Sequence, residues 1–136
     1  MKTRFIDSNI FIYVLLKDPR YGKTALQILE RIERGEERGL TSTLTLTQVY
    51  AHLIRRKKGK VIAKVYEYLD EAPIDVIDTK YDDFKKAFEL RKEKNLPWEM
   101  WDDLVIASQM MRAKVEEIYS NDEDFDKIPG VKRIFT

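Results

Sequence analysis

Three aspartates, Asp7, Asp103 and Asp122, are the residues of this chain whose type and position can do chemistry together. Asp7 closes the short run Arg4 to Asp7, Asp122 follows the segment Glu117 to Ser120, and Asp103 opens a helical pattern just before that segment. Carboxylates gathered at one edge repel each other unless a cation neutralises them, and an all-oxygen ligand set favours a hard divalent ion, Mg²⁺ or Mn²⁺. Such ions polarise a scissile phosphate, lower the pKa of a bound water and stabilise a leaving oxyanion, the chemistry of phosphoryl transfer and phosphodiester hydrolysis. The same residues also have a plainer reading as caps and turn formers, with Asp122 and Asp124 inside SNDEDF and Asp103 at a helix start.

Whether the three carboxylates can meet depends on the elements that carry them. Arg4 to Asp7 reads as a first strand, followed by a helix N-capped by Ser8 with apolar Ile10, Val14 and Leu15. Ala25, Ile28, Leu29 and Ile32 set a helical period over Tyr21 to Arg38, Leu40 to Thr43 reads as a second strand, and Leu46, Val49, Tyr50 and Leu53 carry a helix from Leu44 to Lys58, closed by Gly59. Another helix is expected over Lys60 to Glu71. Pro73 precedes a third strand, Ile74 to Ile77, after which Asp78-Thr79 can cap a helix running to about Lys94. Past the break at Leu96-Pro97-Trp98, a helix through Ala113 leads to a fourth strand over Glu117 to Ser120 and a fifth over Val131 to Phe135. Strands separated by helices predict an α/β fold: a three-layer α/β/α sandwich around a parallel five-stranded sheet, with its site at the carboxyl ends of the strands.

Composition narrows the class. A chain of 136 residues predicts a single domain over 1–136, and 43% hydrophobic residues suffice for one packed core. With 36% charged residues of both signs and a formal charge of +1, a disordered or collagenous chain is excluded. The absence of cysteine removes a thiol nucleophile, a disulfide scaffold and a Cys-ligated metal site, and fits a cytoplasmic home. The apolar start is interrupted by Asp7, Ser8 and Asn9 and ends at Lys17-Asp18-Pro19, too short for a membrane span.

Four segments in order, the strand ending FIDSN, the passage LTSTLTLTQVY, the helix opening WDDLVIAS and the segment IYSNDEDFDKIPGV, resemble the PIN-domain family, specifically the VapC-type toxins of prokaryotic toxin–antitoxin pairs. The resemblance covers nearly the whole chain. It implies that Asp7, Asp103 and Asp122 bind Mg²⁺ or Mn²⁺ and hydrolyse RNA, with Asp124 in a supporting place. It also implies that Asn9 and Ser120 are polar helpers, orienting a carboxylate or holding a phosphate oxygen; for each, a strand-end or N-cap role is the alternative. A homodimer, often further assembled, and a small VapB antitoxin lying in a groove near the active site are implied in the same way. One position departs from the pattern: the family usually has a glutamate where this chain has Gln48. An amide Oε1 can coordinate a cation or accept from a bound water, but it supplies no negative charge and is a poor general base. A working nuclease with a weakened site and an impaired module that binds RNA or a protein partner therefore both stand open.

Other polar residues have sufficient explanations outside such a site. His52 lies one helical turn after Gln48 and reads as a surface or half-buried histidine. Asp102 points about 100° around the helix from Asp103, so the two do not face one ion, and Glu99 reads as a cap or a solvent residue. The run Arg55-Arg56-Lys57-Lys58-Gly59-Lys60 can hold an RNA backbone through phosphates, but cations in a last helical turn also complement the helix dipole. Aromatic residues are scattered, with no motif collecting them into a stacking platform, and are expected in core or interface. A receiver-like or phosphotransfer domain fits poorly, because the chain has no DxD after the first strand and no GxxxxGK[ST].

Overall fold

The structure, a computed structural model, describes residues 1–136. Five strands, β1 (Thr3–Ile6), β2 (Arg38–Ser42), β3 (Ile74–Ile77), β4 (Glu117–Tyr119) and β5 (Lys132–Ile134), form one sheet in the order β3-β2-β1-β4-β5. Every neighbouring pair is parallel, with Phe5 opposite Leu40 on one side and Ile118 on the other. Six helices connect them: α1 (Ser8–Leu15), α2 (Gly22–Glu33), α3 (Thr43–Arg55), α4 (Ile62–Glu71), α5 (Tyr81–Lys94) and α6 (Trp101–Ala113). This is the expected three-layer arrangement.

Side-chain alternation along the strands separates two cores. Phe5, Leu40 and Ile118 face α5 and α6, packing with Ala87, Leu90, Met100, Leu104 and Phe125. Ile6, Ile74 and Tyr119 face the opposite layer, with Ile10 and Phe11 of α1, Ile28 and Ile32 of α2, and Val49 and Leu53 of α3. Between Ile6 and Ile74 the sheet has no room for a side chain at Gly39: a Cβ there would stand 2.8 Å from Ile6 Cδ1 and 2.9 Å from Ile74 Cγ1.

Several element ends differ from the sequence expectation, each for a local reason. The cap of α1 is Asp7, whose carboxylate accepts from Ser8 N at 2.8 Å, and Ser8 is the first helical residue. Helix α2 stops at Glu33, where Gly35 takes a φ of 77°, and the charged Arg38 joins β2 because Asp75 of β3 pairs with it across the sheet. Lys57 in the left-handed region ends α3 before Lys58, and a 3₁₀ turn over Gly59–Val61 precedes α4. Asp78 and Thr79 do not cap α5. Lys80 holds that place, its N–H donating to Asp83 Oδ2 at 2.8 Å, while Thr79 Oγ1 accepts from Leu44 N at 3.0 Å and so serves the start of α3.

Helices α5 and α6 form an antiparallel hairpin. Arg112, near the end of α6, holds Asp83, near the start of α5, through two hydrogen bonds of 2.9 Å. The first turn of α6 brings Asp103 to the carboxyl edge of the sheet, beside the ends of β1 and β4. There the strand order reverses between β1 and β4, the place where open α/β sheets build their crevice.

Candidate active site

Asp7 leaves β1 at this crevice, its N–H still in the ladder with Tyr119 O at 3.0 Å. Its side chain is 5% exposed and fully engaged. Oδ1 accepts from Ser8 N, and Oδ2 accepts from Ser120 Oγ at 2.6 Å and from Asn9 Nδ2 at 3.2 Å. Ser120, completely buried at the end of β4, is the hub of this corner. Its hydroxyl donates to Asp7 and accepts from Asn9 Nδ2 at 3.2 Å and from Asp122 N at 3.0 Å. Asn9 also accepts from Asn121 N at 3.2 Å. Of the roles open for Asn9 and Ser120, their hydrogen bonds are those of residues that orient a carboxylate.

The turn after β4 places the next acids. Asp122 caps a 3₁₀ turn over Glu123–Lys127, accepting from Asp124 N at 3.0 Å, and the tight turn swings Asp124 back beside it. Asp103 faces the pair from the first turn of α6, so that Asp103, Asp122 and Asp124 each offer a carboxylate oxygen and these oxygens lie within 4.8 Å of one another. Burial, and then the negative charges of Asp122 and Asp7, push the Asp103 carboxyl up to about 8. Asp7 is pushed up to about 6, chiefly by burial, against the opposing hydrogen bonds from Ser120 and Ser8. Lys127 Nζ sits 3.2 Å from Asp124 Oδ1 on the exposed side.

The donor set fits a hard divalent cation. Closely spaced carboxylate oxygens with no nitrogen or sulfur ligand among them suit Mg²⁺ or Mn²⁺, and such an ion would offset both the burial and the neighbouring negative charges that raise Asp103. Asp7 lies close enough to act on Asp103 through its charge, but its oxygens do not belong to the trio. Asp124 enters it instead, which the sequence reading placed in a supporting position.

Gln48 stands apart from these acids. From α3 its Nε2 donates to Asp102 Oδ2 at 2.9 Å, while its Oε1 is buried with no hydrogen-bond partner. The two neighbouring aspartates of α6 therefore face different ways, Asp103 to the trio and Asp102 to Gln48, as the helix angle requires. His52, one turn along α3, is half-buried, and burial with nearby Arg56 and Arg55 holds its pKa below the usual value. The basic run lies at the far end of α3, about 18 Å along the helix axis from its start at the sheet edge. Glu99 is exposed. Lys127 went unnoticed in the sequence, although its place three residues after Asp124 is the signal for such a contact.

The family model of the PIN domain matches residues 4–131, and the chain belongs to the PIN domain family. No curated protein matches the sequence. Among solved structures, the chain is similar to VapBC2 from Rickettsia felis bound to a DNA fragment from its promoter, with 22% identity, 97% of each chain covered and a TM-score of 0.74. It is similar also to VapC20 of Mycobacterium tuberculosis, a toxin that cleaves the sarcin-ricin loop, at 16% identity over 90% of this chain and 92% of that one, with a TM-score of 0.74. DNA-bound VapBC from Salmonella typhimurium matches at 18% identity over 98% of each chain, with a TM-score of 0.70. At these identities the likeness is one of fold.

Proposed function

We propose that the protein is a metal-dependent endoribonuclease, the toxin of a VapBC-type toxin–antitoxin pair. The observation that carries this reading is the convergence of Asp103, Asp122 and Asp124 within 4.8 Å at the crevice of a PIN fold, with Asp7 alongside. Support for the toxin assignment comes from the solved relatives, which are VapC toxins or VapBC complexes.

Asp103, Asp122 and Asp124, with Asp7 completing the charge, are the residues that would hold Mg²⁺ or Mn²⁺. When bound, the ion supplies charge neutralisation at the scissile phosphate and lowers the pKa of a water. The chain's own residues prepare the place. Ser120 and Asn9 fix the Asp7 carboxylate in one orientation, and the Asp122 cap fixes Asp124 beside it. Burial of Asp103 strengthens every electrostatic interaction made there. Water adding to phosphorus in line with the departing 3′-oxygen leaves a 5′-phosphate and a 3′-hydroxyl.

An apolar groove of about 220 Å³ between α1, α2 and α4, lined by Phe11, Val14, Leu15, Leu29, Val65 and Tyr68 with Lys64, suits the apolar segment of a VapB-type antitoxin. A homodimer and a cytoplasmic setting complete the proposal. No helix is long and apolar enough to cross a membrane.

A second reading, a PIN module impaired in catalysis that binds RNA or a protein partner, is favoured by one observation: Gln48 ties its amide to Asp102 where a glutamate would add charge. End-mapping of a labelled RNA pool tests both. Cleavage by the unaltered chain with Mg²⁺ or Mn²⁺, leaving 5′-phosphate ends and abolished by EDTA, supports the nuclease. Silence in the chain with cleavage by Gln48→Glu supports the impaired module, and silence in both overturns the nuclease reading.

A further inference from the structure

Between Glu37 and Glu67 the chain has no acidic residue and seven cations, in a sequence whose formal charge is only +1. One of the seven, Arg38, is paired with Asp75. The other six are Arg55, Arg56, Lys57, Lys58, Lys60 and Lys64; all are exposed, and none has a carboxylate within ion-pair distance. The fold gathers them where the end of α3 meets the start of α4, across the 3₁₀ turn over Gly59–Val61.

Helix geometry explains part of this patch and not the rest. Arg55 and Arg56, at the end of α3, complement the helix dipole. Lys60 and Lys64 do the reverse. They stand in the 3₁₀ turn and in the first turn of α4, at the positive end of that helix, which has no acid in its first turn. Like charges crowded together without partners lower stability, so the patch is suited to an anion that the chain itself does not supply.

The acidic crevice creates the matching need. Asp7, Asp102, Asp103, Asp122 and Asp124 repel a phosphate backbone, and cations beside them are engaged by acids, Lys127 by Asp124 and Arg133 by Asp126. RNA held at the crevice therefore needs phosphate contacts elsewhere. Helix α3 links the two places. Gln48, tied to Asp102, is followed at i+4 and i+7 by His52 and Arg55 on the same stripe of the helix, and Arg55 lies about 10 Å along the axis from Gln48. A few nucleotides of single strand cover that span. RNA is also the polyanion that the proposed reaction already brings to the crevice end of this stripe.

We infer that, on the RNA-cleaving reading above, Arg55, Arg56, Lys57, Lys58 and Lys60 hold the phosphate backbone of the substrate strand to one side of the scissile bond. Phosphate contacts position a strand without reading its bases, so the patch adds affinity and register but no sequence preference. These are positioning residues and take no part in the chemical step.

The test measures binding of labelled single-stranded oligoadenylate and oligouridylate in EDTA, where cleavage is off, across a series of salt concentrations. Two variants of equal net charge are compared with the unaltered chain: Arg56→Gln/Lys58→Gln/Lys60→Gln in the patch, and Lys85→Gln/Lys86→Gln/Lys92→Gln on α5, in the opposite layer. The patch variant is expected to bind both strands roughly tenfold more weakly, with the slope of log affinity against log salt shallower by about 2, and to raise the KM of metal-dependent cleavage with little change in kcat. The α5 variant is expected to bind and cleave as the unaltered chain does. Arg56→Lys/Lys58→Arg/Lys60→Arg is expected to retain the affinity, because point charges suffice for phosphates. Equal weakening by the patch and α5 variants reports only the net charge of the chain and overturns the patch. Unchanged affinity and KM in the patch variant, or a loss confined to one of the two strands, does the same. A patch variant that keeps its RNA affinity but no longer binds a polyglutamate bound by the unaltered chain assigns the surface to an acidic protein segment instead. If the unaltered chain cleaves RNA and the patch variant does so with the same KM, the patch alone fails. If patch-dependent binding is found in a chain that does not cleave, the nuclease reading fails and the patch stands. If the unaltered chain neither binds nor cleaves RNA, both fail.

Discussion

Gln48 donates its Nε2 to Asp102 Oδ2 across 2.9 Å, from α3 to the first turn of α6, and so ties an amide to a carboxylate one residue away from Asp103. The orientation of the amide is set by chemistry, since its oxygen turned to the same carboxylate would repel it. A glutamate at this position would leave two carboxylates facing each other.

Gln48→Glu is accordingly expected to cost roughly 1 kcal/mol of stability in metal-free protein near neutral pH, because like charges then meet at hydrogen-bond distance. Saturating Mn²⁺ is expected to recover the loss and to bind more tightly than to the unaltered chain. Thermal melting with and without Mn²⁺ checks this; equal melting of the two proteins in both conditions would show that position 48 does not sense the cation.

Asp103 gives stability a pH dependence of defined sign. Its folded pKa, about 8, lies above the ordinary 3.8, so the unfolded chain ionises first as pH rises and the folded state loses stability progressively between these values. Asp7, raised to about 6, acts in the same sense over the lower part of that range. Asp103→Asn is expected to be more stable than the unaltered metal-free chain by on the order of 2 to 4 kcal/mol at pH 8, with the advantage vanishing near pH 4. Chemical denaturation in EDTA across this range measures the difference, and a gap independent of pH would contradict it.

Ser120 is expected to matter more than its small size suggests. Ser120→Ala removes the 2.6 Å hydrogen bond to Asp7, leaves Asp122 N without its acceptor and takes from Asn9 Nδ2 one of its two, a loss of about 1 to 3 kcal/mol around a buried hydroxyl. Because the hydroxyl orients a proposed metal-binding carboxylate, divalent affinity should fall by about 10- to 100-fold. Calorimetric titration with Mn²⁺ separates this effect from stability, and undiminished affinity would reduce Ser120 to a purely structural hydroxyl.

Gly39 reports on the packing of the sheet. Gly39→Ala places a Cβ against Ile6 Cδ1 and Ile74 Cγ1 at under 3 Å, and is expected to destabilise by about 1 to 3 kcal/mol without changing divalent affinity. A neutral or stabilising effect in denaturation would show that the two isoleucines yield freely.

The layers of the fold could be read from the sequence because hydrophobic period carries them: Ala25, Ile28, Leu29 and Ile32 mark α2 wherever its ends lie, and Ile74 to Ile77 is an apolar island after Pro73. Element ends were less legible because they depend on long-range partners. Thr79 is drawn to α3 by Leu44 and Thr43, and Asp83 takes over the start of α5 with the help of Arg112. At the site, strand ends point to Asp7 and Asp122, and the resemblance singles out Asp103. Asp124 has the spacing of a turn residue, and only the 3₁₀ turn after Asp122 brings its carboxylate near Asp103. Phe88 and Trp98 lie ten positions apart, and no local period could join them; the antiparallel hairpin does so.

The most direct test of the acidic centre is the rate at which a labelled single-stranded RNA is cleaved as Mn²⁺ is titrated, for the unaltered chain beside Asp103→Asn. The account predicts saturable, EDTA-sensitive cleavage by the unaltered chain and a loss of at least about a hundredfold in the folded variant. Equal cleavage by both proteins, or cleavage indifferent to EDTA, would contradict it.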